Sequence, residues 1–279
     1  RQEESYAYER SDGEGEENLM MLESYIRNKL KKKDILLMTH IVLGYPSFDD
    51  SLRIIETMVD AGVDLMELQI PFAEPTADGP IIVRANQEAL KGGVTVEDCF
   101  KFVEKVTRTF DIPFLIMSYY NAPFRFDVKR FVNDMSISGL RGAIIPDLTP
   151  EEGREYLAAM YDRDLAPALI FWPATSLERM GYISSFARGF IYCVARKGVT
   201  GENTDFSKEL EAFLTRCRQG TSLPLALGFG IKEKAHIDFL KGKADIAVIG
   251  TQTIRIMEQK GIDSVGYFIR SLGLAQNQR

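Results

Sequence analysis

The chain has 279 residues, 45% of them hydrophobic, enough for one large core and within the length that alternating α/β barrels reach as one domain. Its 34 basic and 40 acidic residues leave a formal charge of −6, which excludes a general attraction for nucleic-acid phosphates, so an anionic ligand must be met by local donors. No apolar run reaches bilayer-spanning length, the two histidines lie apart from any cysteine cluster, and Cys99, Cys193 and Cys217 show no paired spacing. The expectation is a cytoplasmic protein with reduced thiols, no metal, no membrane contact and no nucleic-acid partner.

Residues 1–18 are acidic, poor in large apolar side chains and without an apolar signal core, and predict a disordered tail; residues 19–279 form the folded domain. Leu22, Tyr25, Ile26 and Leu30 recur at helical spacing and open it with a helix. A first strand over 35–43 precedes Gly44-Tyr45-Pro46-Ser47 and an amphipathic helix through Leu52, Ile55 and Met58. A second strand over 63–70 leads into a long proline-rich loop, 71–79, and helices over about 80–91 and 95–109, with Thr95 as N-cap. Strands follow over 112–119 and 142–146. Pro150-Glu151-Glu152 opens a helix with proline at its first position, and further strands span 166–171, 190–195, 224–227 and 246–249. Strands apolar throughout, alternating with amphipathic helices, imply a parallel sheet covered by helices, and eight such units imply a closed (β/α)8 barrel of the TIM type. An open doubly wound sheet is the alternative, but it normally carries an early glycine-rich nucleotide motif that this chain lacks.

A barrel of this kind places its chemistry at the carboxyl ends of its strands. Glu67 lies inside the second strand on the side of Leu65 and Gln69, where a buried carboxylate costs several kcal/mol unless paired or protonated. Either an unseen Lys or Arg holds it, or it does acid/base work, which burial tunes carboxyl groups to perform near neutral pH. Asp78 lies on the loop leaving the same strand; taken alone, its Asp-Gly-Pro setting is a common turn or helix entry. Together the two acids can divide acid and base duties on one substrate. Gly198-Val199-Thr200-Gly201, Gly228-Phe229-Gly230 and Gly250-Thr251 follow the last three strands. Turn geometry alone accounts for any one of them, but these loops are where many barrels bind phosphate through backbone N–H groups.

The run Met66-Glu67-Leu68-Gln69-Ile70-Pro71-Phe72-Ala73-Glu74-Pro75-Thr76-Ala77-Asp78-Gly79-Pro80 closely resembles the signature of tryptophan synthase alpha subunits. The likeness runs from Leu22 to Leu272 and takes in Gly92-Gly93-Val94-Thr95, Ser118-Tyr119-Tyr120-Asn121, Pro146-Asp147-Leu148, Arg196-Lys197-Gly198-Val199-Thr200-Gly201 and Gly228-Phe229-Gly230. It implies a carbon–carbon lyase that cleaves indole-3-glycerol phosphate to indole and glyceraldehyde 3-phosphate. Glu67 matches the family's acid/base, and Asp78 the carboxylate that holds the indole N–H. Gly201, Gly230, Gly250 and Thr251 match phosphate-binding positions. His40, Met117, Tyr119, Ile144, Tyr192 and Phe229 fall near the indole pocket, and Thr200 falls on the closing lid. The resemblance also implies an α2β2 complex with a beta subunit that carries pyridoxal phosphate, no cofactor in this chain, and Pro71, Glu74 and Asn121 as candidates for the face between the two. Three departures stand out: Gln69 replaces a glycine, Ala73-Glu74 replaces Ser-Asp, and His40 replaces an aromatic residue. They keep two other readings open, a regulatory alpha-like subunit with weakened catalysis and another phosphate-handling barrel enzyme.

Overall fold

The computed structural model describes residues 22–195, 208–228 and 230–273. The expected tail, Thr200, Gly201 and Phe229 lie outside the described residues. Helix α1 (Leu22–Leu30) is followed by β1 (Leu36–Val42), α2 (Phe48–Asp60), β2 (Leu65–Gln69), α3 (Pro80–Lys91) and α4 (Val96–Thr109). Next come β3 (Phe114–Met117), α5 (Asn121–Phe126), α6 (Val128–Ile137), β4 (Gly142–Ile144), α7 (Arg154–Asp162), β5 (Ala166–Phe171) and α8 (Leu177–Phe186). The series ends with β6 (Ile191–Val194), α9 (Lys208–Gly220), β7 (Leu225–Gly228), α10 (Lys234–Leu240), β8 (Ile246–Ile249), α11 (Thr251–Lys260) and α12 (Asp263–Ser271). The eight strands pair in sequence order, all parallel, and β8 closes on β1. The sheet is a closed barrel, and the open alternative is excluded.

Successive strand side chains point to opposite faces, so each strand feeds two cores. The outer core lies between barrel and helices and includes Leu37, Ile41, Met66, Leu68, Phe114 and Ile116. The inner core fills the barrel with Leu36, Met38, Leu65, Leu115, Met117, Ala168 and Ala226. Leu22 and Ile26 of α1 join this inner core, so the first helix closes one end of the barrel. Below His40, Glu67 and Tyr119 the interior is therefore filled, and only the carboxyl end remains for a ligand.

Local sequence explains most boundaries. Thr95 caps α4 in a reciprocal capping box with Asp98, as its position suggested, and Pro80 opens α3 after the Gly79 cap. One expectation is corrected. Pro150-Glu151-Glu152 forms a turn, and α7 begins at Arg154 after Gly153. A Cβ on residue 153 would lie 2.9 Å from Leu148 Cδ2 and 3.1 Å from Thr149 O, so the chain packs closely there before the helix can start.

Candidate active site

At the carboxyl end of the barrel a cavity of about 210 Å³ is lined by His40, Glu67, Asp78, Met117, Ile144, Trp172, Tyr192, Gly228, Gly230, Gly250 and Thr251, among others. His40 and Glu67 face each other in register across β1 and β2, and Gln69 follows two residues on, toward the same interior. None of the described lining residues is Lys or Arg. Among the described residues, Glu67, which is 4% exposed, therefore has no Lys or Arg to make it a structural ion pair.

Its partners are instead an imidazole and a phenol. His40 Nδ1 lies 3.0 Å from Glu67 Oε1, and the Tyr192 hydroxyl donates to the same oxygen at 3.4 Å. Burial works against a charge on His40, but the hydrogen bond and the charge of Glu67 outweigh it, with Asp78 adding to them, so the ring holds its proton above its ordinary pKa. Burial pushes the Tyr192 phenol well up, and the charges of Glu67 and Asp78 push it further; it stays a donor. Gly228 is required by this ring: a Cβ there would lie 2.8 Å from Tyr192 Cε1 and 3.0 Å from its hydroxyl oxygen.

Asp78 is held by a different pair. Gln69 Nε2 donates to its Oδ2 at 2.8 Å and the Tyr119 hydroxyl donates to the same oxygen at 3.0 Å. The Ala77 N–H donates to Tyr119 at 2.9 Å, and the Tyr119 ring stacks on Phe72. The loop carrying Asp78 is pinned from below by buried Asn86, which accepts from the Phe72 N–H at 2.9 Å and donates to Ile82 O. Each acid thus has one oxygen bonded twice. Among the described residues, none bonds Glu67 Oε2.

Gly230, Gly250 and Thr251 line the same cavity, and Gly250 caps α11, so the positive end of a ten-residue helix faces the opening. Gly230 has φ of +40°, a conformation that favours glycine. This end can take an anion through backbone N–H groups.

The cavity unites Glu67, Asp78, His40, Met117, Ile144, Tyr192, Gly230, Gly250 and Thr251. Tyr119 lies behind it, 1% exposed, and supports Asp78. Gln69 was read from the sequence only as a departure from a glycine; it is a hydrogen-bond donor to Asp78. The inward alternation of Leu65, Glu67 and Gln69 was the signal for it. Trp172, Ile170 and Ile231 also line the cavity, and nothing in their local sequence singles them out.

Comparison with known proteins agrees with this geometry. The family model described as tryptophan synthase alpha chain matches residues 26–274. The tryptophan synthase alpha chain of Desulforapulum autotrophicum is 59% identical over 252 residues, 90% of this chain and all of that one. That of Syntrophotalea carbinolica is 58% identical over the same shares. A chain of the crystal structure of tryptophan synthase from M. tuberculosis in its aminoacrylate-bound form superposes with a TM-score of 0.82 at 25% identity, covering 91% of this chain and 99% of that chain.

Proposed function

We propose, since this chain belongs to the tryptophan synthase alpha chain family and is a carbon–carbon lyase cleaving indole-3-glycerol phosphate, that Glu67 and Asp78 divide the work of the cleavage. Two carboxyl groups in one cavity, with a helix N-terminus lining it too, are the observation that carries the assignment.

The bond to be broken joins indole C3 to the hydroxyl-bearing carbon of the glycerol chain. It breaks only when the ring becomes an electron sink. The Glu67 carboxylate takes the proton of the side-chain hydroxyl and delivers a proton to C3, and the ring nitrogen becomes cationic. Asp78 accepts the indole N–H and stabilises that charge with the oxygen that Gln69 and Tyr119 leave unbonded. The carbon–carbon bond opens, its electrons return to the ring, and the alkoxide carbon becomes the aldehyde. Indole and glyceraldehyde 3-phosphate leave with Glu67 again a carboxylate; the proton count closes within one turnover. The phosphate rests on the backbone at Gly230, Gly250 and Thr251, joined by Gly201, with Thr200 in a lid that excludes water. Met117, Ile144, Tyr192 and Phe229 enclose the ring, with Tyr119 behind Asp78.

The partner is a tryptophan synthase beta subunit in an α2β2 assembly, where indole meets the pyridoxal phosphate of the beta subunit; this chain's own chemistry needs only side chains and backbone. Glu74 and Asn121 are exposed as that interface requires, whereas Pro71 is buried and belongs to the support of the loop. Among the described residues no helix is long and apolar enough to cross a membrane, which suits a cytoplasmic enzyme.

Release of indole from indole-3-glycerol phosphate by the isolated chain tests the assignment. Glu67→Gln and Asp78→Asn each lose about a hundredfold or more in kcat, because neither amide can exchange the proton or neutralise the ring charge. Near-normal turnover in either variant removes the role given to that residue.

A further inference from the structure

Among the described residues, His40 Nε2, Glu67 Oε2 and Gln69 Oε1 are buried without a hydrogen-bond partner. Each such atom carries an uncompensated desolvation cost, so three together at one site call for a physical reason. Two of them are complementary. His40 and Gln69 rise from adjacent strands, His40 in register with Glu67 and Gln69 two residues beyond it, so both point into the barrel. Gln69 already spends its amide N–H on Asp78, and His40 already uses Nδ1 on Glu67. What remains is one ring nitrogen and one amide oxygen, which match when that nitrogen carries a proton.

We propose that His40 is a positioning residue which, as an imidazolium, donates from Nδ1 to Glu67 and turns Nε2 onto Gln69 Oε1, so that Tyr192, Glu67, His40, Gln69, Asp78 and Tyr119 form one hydrogen-bonded chain joining the two acids. It deepens the reading given above and rests on it, since the chain matters to the reaction only if Glu67 and Asp78 serve opposite ends of one ring. The imidazolium is the form in which both ring nitrogens donate. The groups acting on it suit that form: Glu67 from β2, Asp78 from the following loop, and the Gln69 amide all favour its charge. From β6, Tyr192 meets it only through their shared partner Glu67, while the turn into α11 and helix α3 offer Gly250 and Ile82, neither titratable. Side chains without polar atoms at 40 and 69 could make none of these bonds. The two residues are thus halves of one device. When the ring loses its proton, one of its nitrogens turns from donor to acceptor, and the chain opens at Glu67 or at Gln69.

Two readouts test this. The chain has two histidines, so a His236→Gln background leaves His40 as the single imidazole for nitrogen NMR. Its ring is expected to titrate above 6.5, with protons on both nitrogens below that midpoint, and the midpoint falls in Gln69→Ala. The second readout is the pH profile of indole release for the unaltered chain, His40→Asn, Gln69→Ala and the double variant. Asparagine keeps a donor toward Glu67 but cannot reach Gln69. Each single change is expected to lower kcat roughly ten- to a hundredfold, with KM within about threefold. The double change is expected to be no worse than either alone, because both open the same joint. The unaltered chain loses activity as pH rises through the His40 value, and His40→Asn lacks that limb. A ring that titrates at or below 6.5, or losses that simply multiply in the double variant, overturns the proposal. The NMR result needs no substrate, so it stands apart from a failure of the lyase reading, which appears as no indole release from the unaltered chain.

Discussion

At the scale of single residues, the site depends on which oxygen of each acid is taken. Tyr192 and His40 share Glu67 Oε1, Gln69 and Tyr119 share Asp78 Oδ2, and no two of the four donors come from the same strand. Glu67 and Asp78 were legible in the sequence because a carboxylate inside an apolar strand, followed closely by another on its loop, conflicts with burial. Gln69 and Tyr119 were less so, because their value lies in a partner that only the folded barrel brings near. Gly228 is a case where geometry alone decides. Alanine there would put its Cβ 2.8 Å from Tyr192 Cε1, so the ring must move and its bond to Glu67 is lost. Gly228→Ala is expected to keep its fold by circular dichroism while kcat falls about tenfold or more, in line with the cost of misplacing a catalytic group by an ångström. Unchanged kcat would show that Tyr192 has no part in setting Glu67.

At the scale of elements, the sequence located every strand but read most of them too long. The run 112–119 shortens to Phe114–Met117 and 63–70 to Leu65–Gln69, because residues at each end keep the apolar character of the core after the ladder has ended. Ile70 is 2% exposed outside its strand and Tyr119 is 1% exposed outside its own. Apolar patterning reports burial, and strand pairing is a narrower condition. Helix starts read best where a side chain supplies the cap, as Thr95 does for α4. They read worst at Gly153, where packing against Leu148 delays α7 and leaves proline in the preceding turn. Residues 121–137, left unassigned between strands, hold α5 and α6, joined at Asp127 with φ of +76°, a sharp turn that interrupts the helical periodicity.

At the scale of the molecule, closure of β8 on β1 turns eight separate apolar runs into one interior with a single open end. On the proposed reading, this is how an acidic protein holds an anionic substrate: the phosphate would meet backbone and a helix end, and the carboxylates would face the ring. The tight interior also sets an alkaline limit on stability. Tyr119, Tyr156 and Tyr192 have phenols raised above their ordinary 10.0, burial being the largest cause in each. Their contribution is full below pH 10.0, where phenols of the unfolded chain are still protonated. It falls as pH climbs further, by about 1.4 kcal/mol per pH unit for each phenol that stays protonated in the fold. Denaturation midpoints should therefore hold up to that point and drop steeply beyond it, with tyrosinate absorbance rising as the chain unfolds. A midpoint unchanged well into that range would mean these phenols are not buried as described. The central claim, that two acids grip one ring from opposite sides, is tested most directly by a crystal structure of the Glu67→Gln chain with indole-3-glycerol phosphate bound. The account predicts the indole N–H within hydrogen-bond distance of Asp78, C3 beside residue 67, and the phosphate at Gly230, Gly250 and Thr251. A ring bound with its nitrogen turned away from Asp78, or seated outside this cavity, would contradict it.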